Sequence, residues 1–193
     1  MIFATNNLDK LKQLKDLAPT LNIVGLREYG IEIDIEEDGK TLEENAIKKA
    51  LTIYNQTQQS VVADDSGLFI DYFEGWPGVY THRFLPDSTA SERNDAILEK
   101  MANIDDELRT AKTMCVLAVC DKNGAIFTFK GELKCTIAKS QIGDNFFGFD
   151  SITMLPNGKT VAQLTDSEKE EVNARAMAFK KLIEAVNKGD ILI

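Results

Sequence analysis

The sequence predicts an α/β protein, read as one domain over residues 1–193 with at least five strands and four helices. Three observations predict it. Short apolar runs such as Met1–Ala4 and Val61–Ala63 alternate along the chain with stretches in helical spacing. Two Thr-x-x-Glu sequences, at Thr41 and Thr165, have the form of helix-opening capping boxes. No repeat, linker or low-complexity segment interrupts the pattern.

Charge narrows the function classes. The net charge is −9, with 31 acidic against 22 basic residues, which argues against a broad basic face for nucleic acid. A few local lysines still suffice to hold a compact anion such as a triphosphate. Cys115, Cys120 and Cys135 are odd in number and lie in apolar surroundings without a C-x-x-C pair, so buried reduced thiols are expected. No secretory signal and no long apolar run is visible, so the expectation is a cytoplasmic protein without a membrane partner.

The chemistry centres on Val61-Val62-Ala63-Asp64-Asp65-Ser66-Gly67-Leu68. Two β-branched residues run into adjacent carboxylates, then a hydroxyl and a glycine. The expectation is a buried strand that delivers its acids at the end where it meets solvent. Neighbouring strand residues point to opposite sides, so only one acid need serve a given site. Two carboxylates there call for a cation or a basic group nearby.

From the N-terminus, Met1–Ala4 is a strand that stops at Thr5-Asn6-Asn7. Leu8, Leu11, Leu14 and Leu17 then mark one face of a helix, with Asn7 as N-cap and Lys10 in the first turn. A strand feeding a helix N-terminus is a ready anion site. Leu21–Leu26 suggests a second strand, and Ile31, Ile33 and Ile35 alternate with acids before the turn Glu36-Glu37-Asp38-Gly39. Thr41 opens a helix to about Gln56, with Ala46, Ala50 and Ile53 on its apolar face. Pro77-Gly78 predicts a tight turn, and His82 is a lone histidine expected in a surface or hydrogen-bonded role.

Residues 88–102 have helical spacing, with Ala96, Ile97, Leu98 and Met101 as the buried side. Lys112–Cys120 and Ala125–Leu133 form a hairpin across the Asn123-Gly124 turn. Ile142–Asp150 is polar, glycine-broken and carries three aromatics, which suits a loop able to stack on a planar ligand or to act as a packed hinge. Thr165 opens a last helix to about Asn187, striped by Val172, Ala176, Phe179, Ile183 and Val186. Arg175 on the edge of that stripe is expected to pair with a carboxylate or face a ligand.

Together these segments resemble the inosine triphosphate pyrophosphatase family. Ala4-Thr5-Asn6-Asn7-Leu8-Asp9-Lys10 is similar to its A-T-x-N-x-x-K loop, and Glu44-Asn45-Ala46 through Ala50 to its E-N-A-x-x-K-A helix. Ala63–Leu68 matches A-D-D-S-G-L, Gly75–Tyr80 resembles G-x-P-G-x-Y, and Phe147-Gly148-Phe149-Asp150 resembles F-G-Y-D. Lys159-Thr160, Ala162-Gln163-Leu164 and Glu168-Lys169 resemble K-T-x-A-E-L…E-K. Any one motif is weak, but six in order over nearly the whole chain are specific.

The resemblance implies an elongated curved mixed sheet with flanking helices and two lobes around a central cleft, usually in a homodimer. It implies Mg²⁺-dependent hydrolysis of non-standard purine nucleoside triphosphates (ITP, dITP, XTP) to the monophosphate and pyrophosphate. Carried over by position, Thr5, Asn6, Asn7, Leu8, Asp9 and Lys10 would cradle the phosphates, and Lys49 would contact them. Glu36 and Asp65 would hold Mg²⁺, with Asp65 also the general base and Asp64 supporting. Ser66 would touch substrate. Phe147 would stack on the base, with Gly148, Phe149 and Asp150 lining its pocket. Lys169, Ala174 and Arg175 would close the site, Arg175 donating to the 6-oxo group.

Departures concentrate at the base end. The family's S-H-R is Asn173-Ala174-Arg175 here, its paired glycines before F-G-Y-D are Asn145-Phe146, and the following proline is Ser151. The often-glycine second position of the phosphate loop is Asn6. The expectation is weakened or shifted base selectivity. Two alternatives compete: a Maf-like pyrophosphatase for pyrimidine or modified nucleotides, and a nucleotide-binding sensor without turnover.

Overall fold

The structure is a computed structural model and describes residues 1–81, 83–144 and 147–193. Its strands are β1 (Ile2–Phe3), β2 (Val24–Gly25), β3 (Val61–Ile70), β4 (Thr110–Cys120), β5 (Ile126–Ile137) and β6 (Thr153–Met154). Its helices are α1 (Leu8–Leu17), α2 (Leu42–Thr57), α3 (Ala90–Lys100), α4 (Asp166–Val172) and α5 (Ala174–Lys188). The strands form one mixed sheet in the order β2-β1-β3-β4-β5-β6. β1 runs parallel to both β2 and β3, whereas β6 runs antiparallel to β5. None of the described helices is long and apolar enough to cross a membrane.

Contacts divide the chain into two compact units, one of residues 1–66, 115–131 and 174–193, the other of 67–114 and 132–173. The first unit buries Phe3, Leu14, Val62, Leu117 and Phe179 in one cluster. Phe3 and Phe179 meet edge to face with centroids 5.9 Å apart. Gly131 serves that packing, because a Cβ there would lie 1.8 Å from the carbonyl oxygen of Ala174. The second unit buries Leu68, Ile70, Ile97, Met101 and Ile152 together, with Leu155, Val161 and Leu164 in a smaller cluster.

Several expectations hold. The sheet turns back at Asp121, whose N–H donates to the Ala125 carbonyl at 2.9 Å, and Gly124 takes φ +83°. Asn7 caps α1, its Oδ1 accepting from the N–H groups of Asp9 and Lys10 at 2.9 and 3.2 Å. Cys115, Cys120 and Cys135 are buried free thiols. Burial pushes the thiols of Cys115 and Cys135 up to about 12.

Other expectations need correction. β3 does not stop at the two acids: it continues through Asp64 and Asp65 to Ile70, flanked by β1 and β4, so both carboxylates are buried in mid-strand. The Leu21–Leu26 strand shrinks to Val24–Gly25, and residues 31–39 form no ladder. Leu8 is 69% exposed, because the buried face of α1 begins at Leu11. Among the expected buried residues of α3, Ile97 and Met101 are buried while Ala96 and Leu98 are only half-buried.

The Thr41 box is half made. Thr41 accepts from Glu44 N–H at 3.1 Å, but Glu44 returns its carboxylate to Lys40 N–H at 2.6 Å. Thr165 makes a full box. The helix it opens ends at Val172, and extended Asn173 (φ −73°, ψ 125°) separates it from α5. The predicted stripe is therefore split: Val172 packs with Leu155 and Leu164, Phe179 with Phe3. His82 and the departures at Asn145 and Phe146 lie outside the described residues.

Two outcomes test this packing. Phe179→Ala should cost about 3–5 kcal/mol in urea unfolding. Gly131→Ala should destabilise the fold although alanine is usually the milder residue in a strand, since its Cβ meets backbone rather than a movable side chain.

Candidate active site

The first unit assembles most of the acids and cations singled out in the sequence. Asp64 is 1% exposed and accepts from Lys10 Nζ at 3.0 Å and from Arg175 Nε at 3.0 Å, both on Oδ2. Burial alone would push its carboxyl up, but Lys10, Arg175 and Lys49 overcome that and hold it well below the usual carboxylate range. Arg175, itself buried on α5, also donates to Gln13 Oε1 and Ser66 Oγ, each at 3.3 Å. Lys10 comes from α1, Asp64 from β3 and Arg175 from α5.

The neighbouring acid is the opposite case. Asp65 lies on the other side of the strand, and both its oxygens are fixed by donors. Oδ2 accepts from Asn45 Nδ2 at 2.9 Å and Oδ1 from Ser66 N–H at 2.9 Å. Burial pushes its carboxyl up to about 6, Glu37 adding repulsion while Lys49 opposes it. Lys49 forms an ion pair with Glu37. Burial lowers the Lys49 pKa, but Asp64, Asp65 and Glu37 outweigh it and the net shift is upward.

Three residues of this cluster went unselected in the sequence. Asn45 is fully buried on α2 and bridges two elements, taking Gly39 N–H on Oδ1 at 2.8 Å while donating to Asp65. Its signal was an amide set among Leu42, Ala46, Ala50 and Ile53 on the buried face of the helix. Glu37 had a signal too. Ile31, Ile33, Ile35 and Glu37 are buried or half-buried while Glu32, Asp34, Glu36 and Asp38 are exposed, so the alternation runs on without a ladder. The acid turned inward is therefore Glu37, whereas Glu36 is exposed. Gln13 carried no signal beyond its place on α1.

The other predicted residues fall into place as follows. Thr5–Lys10 joins β1 to α1, Thr5 Oγ1 accepting from Asn7 N–H at 3.1 Å and Asn6 Nδ2 donating to Ile33 O at 3.3 Å. The Asn7 cap takes up two of the first-turn N–H groups expected to face an anion. The Ala174 methyl belongs to the apolar cluster of the first unit. Phe147, Gly148, Phe149, Asp150 and Lys169 belong to the second unit. There Asp150 accepts from Phe147 N–H at 3.1 Å and from Lys169 Nζ at 3.4 Å, and Phe147 is 41% exposed.

No group of three or more metal-ligating side chains occurs among the described residues. The donor set still fits a hard divalent cation. Mg²⁺ is commonly held by one or two carboxylates plus substrate phosphates rather than by a protein cage. Asp65 and Glu37 are two such carboxylates, and Lys49 is the cation already paired with Glu37 beside them.

Two adjacent buried carboxylates in mid-strand, one paired with Lys10 and Arg175 and the other beside Glu37 and Lys49, form a charge cluster of the kind an anion-handling site uses. The model of the Ham1 family matches residues 1–185. A dITP/XTP pyrophosphatase of Clostridium perfringens is 37% identical over 94% of both chains. One of Bacillus subtilis is 38% identical over 94% of this chain and 93% of that one. The Ham1 protein of Staphylococcus aureus superposes with a TM-score of 0.88 at 32% identity, over 98% of each chain. A HAM1 protein of Coxiella burnetii does so with 0.89 at 34%, over 97% of this chain and 98% of that one. The chain belongs to the Ham1 family, as its resemblance to the inosine triphosphate pyrophosphatases implied.

Two measurements probe the cluster in metal-free protein. Asp64→Asn leaves buried cations facing a neutral amide and should cost about 3–5 kcal/mol. Asp65 gives a pH signature. Its unfolded carboxyl titrates near ~3.9 and its folded one at about 6, so the folded state binds the extra proton in that window. Stability from this group falls as pH rises through the window. Asn turns one accepting oxygen into a donor at a cost that does not depend on pH, so Asp65→Asn should compare more favourably with wild type at about pH 7.5 than at about pH 4, as read by denaturant midpoints.

Proposed function

We propose that this chain is a Mg²⁺-dependent nucleoside triphosphate pyrophosphatase that converts non-standard purine nucleotides, dITP, ITP and XTP, to monophosphate and pyrophosphate. The observation that carries the reading is Asp65: a buried carboxylate with pKa near neutral, oriented by Asn45 and Ser66 beside Glu37 and Lys49. Relatives named dITP/XTP pyrophosphatase over nearly the full length support the substrate class.

A bound Mg²⁺ supplies charge neutralisation on the phosphates and lowers the cost of water attack. Asp65 and Glu37 hold it on this reading, with exposed Glu36 beside them. Asp65, held by Asn45 and Ser66, would take the proton from the attacking water as general base. Lys10 and Lys49 balance phosphate charge, and Thr5, Asn6, Asn7, Leu8 and Asp9 shape the loop around it. Phe147 offers an exposed ring for stacking on the base, with Gly148, Phe149 and Asp150 around it and Lys169 anchoring Asp150. Arg175, a donor-only group held by Asp64, favours a 6-oxo acceptor over a 6-amino donor.

Position 174 bears on selectivity. The Ala174 methyl, packed in the apolar cluster, supplies no polar group, so on this reading discrimination between oxo and amino purines falls to Arg175. Pyrophosphate release from a panel of ITP, XTP, ATP and dTTP with Mg²⁺ tests both points. Release from the oxo purines is expected, with a smaller margin over ATP than in relatives carrying histidine there. An equal margin sinks the selectivity claim, and no release from any member leaves a binding protein without turnover. Asp65→Asn should lower kcat by about 10²–10⁴-fold with the fold retained. Glu37→Gln should raise the Mg²⁺ concentration for half-activity by about tenfold or more, while Glu36→Gln stays near wild type. The reverse ranking would return the ligand role to Glu36.

A further inference from the structure

The loop Phe147–Asp150 is built around a residue that cannot fix its own conformation. Gly148 sits at φ +61° and nothing lies within 4 Å of where its Cβ would be. Glycine occupies positive and negative φ about equally, so something outside the residue must choose. Asn94 on α3 does so. It is fully buried, and its Nδ2 donates to the Gly148 carbonyl at 3.1 Å and to Ser151 Oγ at 2.9 Å.

The hydrogen bonding continues past Asn94. The hydroxyl of Ser151, fully buried as well, donates to Gln141 Oε1 at 3.0 Å. Gln141 Nε2 in turn donates to Asp95 Oδ1 at 2.8 Å, Ser91 Oγ at 2.9 Å and Ser91 O at 3.2 Å, returning to α3. The amide orientation of Asn94 is forced, because turning it over would place its oxygen 3.1 Å from the Gly148 carbonyl. Its Oδ1 finds no donor among the described residues, so the side chain is held through Nδ2. At the other end of the loop, Asp150 is tied to Phe147 N–H and Lys169.

We propose that Asn94, Ser151 and Gln141 are positioning residues that lock the Phe147–Asp150 loop and thereby set affinity for the nucleotide base. A buried polar network in place of apolar packing adds little stability but selects one arrangement among several. Here the arrangement selected is the backbone of Gly148, next to the exposed ring of Phe147. All three residues belong to the second unit, whereas the acids and cations around Asp64 and Asp65 belong to the first. The network therefore acts on binding and leaves the chemical step alone. The base-affinity part rests on the pyrophosphatase reading.

Asn94→Ala, Ser151→Ala and the double variant test it in two ways. Hydrogen exchange of the 147–152 amides in ligand-free protein should accelerate about five- to tenfold in each single variant, one net hydrogen bond being lost. The double variant should exchange little faster than either single one, because the residues act as a unit. KM for ITP should rise by a similar factor with kcat kept within about twofold. Unchanged exchange in the Ser151→Ala protein overturns the lock even if Asn94→Ala fails to fold. Faster exchange with unchanged KM, or a fall in kcat at constant KM, overturns its link to the base. If wild-type protein releases no pyrophosphate, the pyrophosphatase reading fails, while exchange still decides the lock.

Discussion

The structure turns on one buried carboxylate. Asp64 has almost no contact with water, and without Lys10 and Arg175 its charge would be too costly to keep. The three members of this ion cluster come from separate places in the chain: the first turn of α1, mid-β3 and the first turn of α5. Satisfying one charge therefore fixes where three elements meet. The apolar cluster of Phe3, Leu14, Val62 and Phe179 supplies the burial that makes the pairing obligatory.

Strand geometry then separates two adjacent acids chemically. Alternation puts Asp64 among cations and Asp65 beside another carboxylate, so one is held ionised and the other is poised near neutrality. On the proposed reading, the first has a structural role among the cations and the second the proton-accepting one. α2 adds the finer control: Asn45 joins the acidic turn at Gly39 to Asp65, and Lys49 joins Glu37 to the same point.

Much of this was legible in the sequence. The motifs, the hairpin at Asn123-Gly124, the Asn7 cap and the buried thiols follow from local chemistry, and the family follows from motif order. The end of β3 did not, because carboxylates weigh against continuing a strand and only the distant Lys10 and Arg175 tip that balance the other way. The break at Asn173 was hidden for a related reason. The apolar stripe continues across it, but Val172 and Phe179 serve different clusters, which periodicity does not reveal. Glu36 and Glu37 are chemically identical neighbours, and only the alternating burial from Ile31 onward tells them apart.

The turn between β1 and α1 has one more consequence. Two of its N–H groups, those of Asp9 and Lys10, are already served by Asn7, and the charge of Lys10 by Asp64. An anion that takes those two N–H groups or the Lys10 ammonium must replace bonds the protein already makes, the cap alone being worth about 1 kcal/mol. A chloride or a single phosphate gains little from that exchange. A chain of phosphates carrying its own cation brings enough charge at several points to make it favourable. On the proposed reading, the turn would favour anions by their multiplicity of charge rather than by size alone.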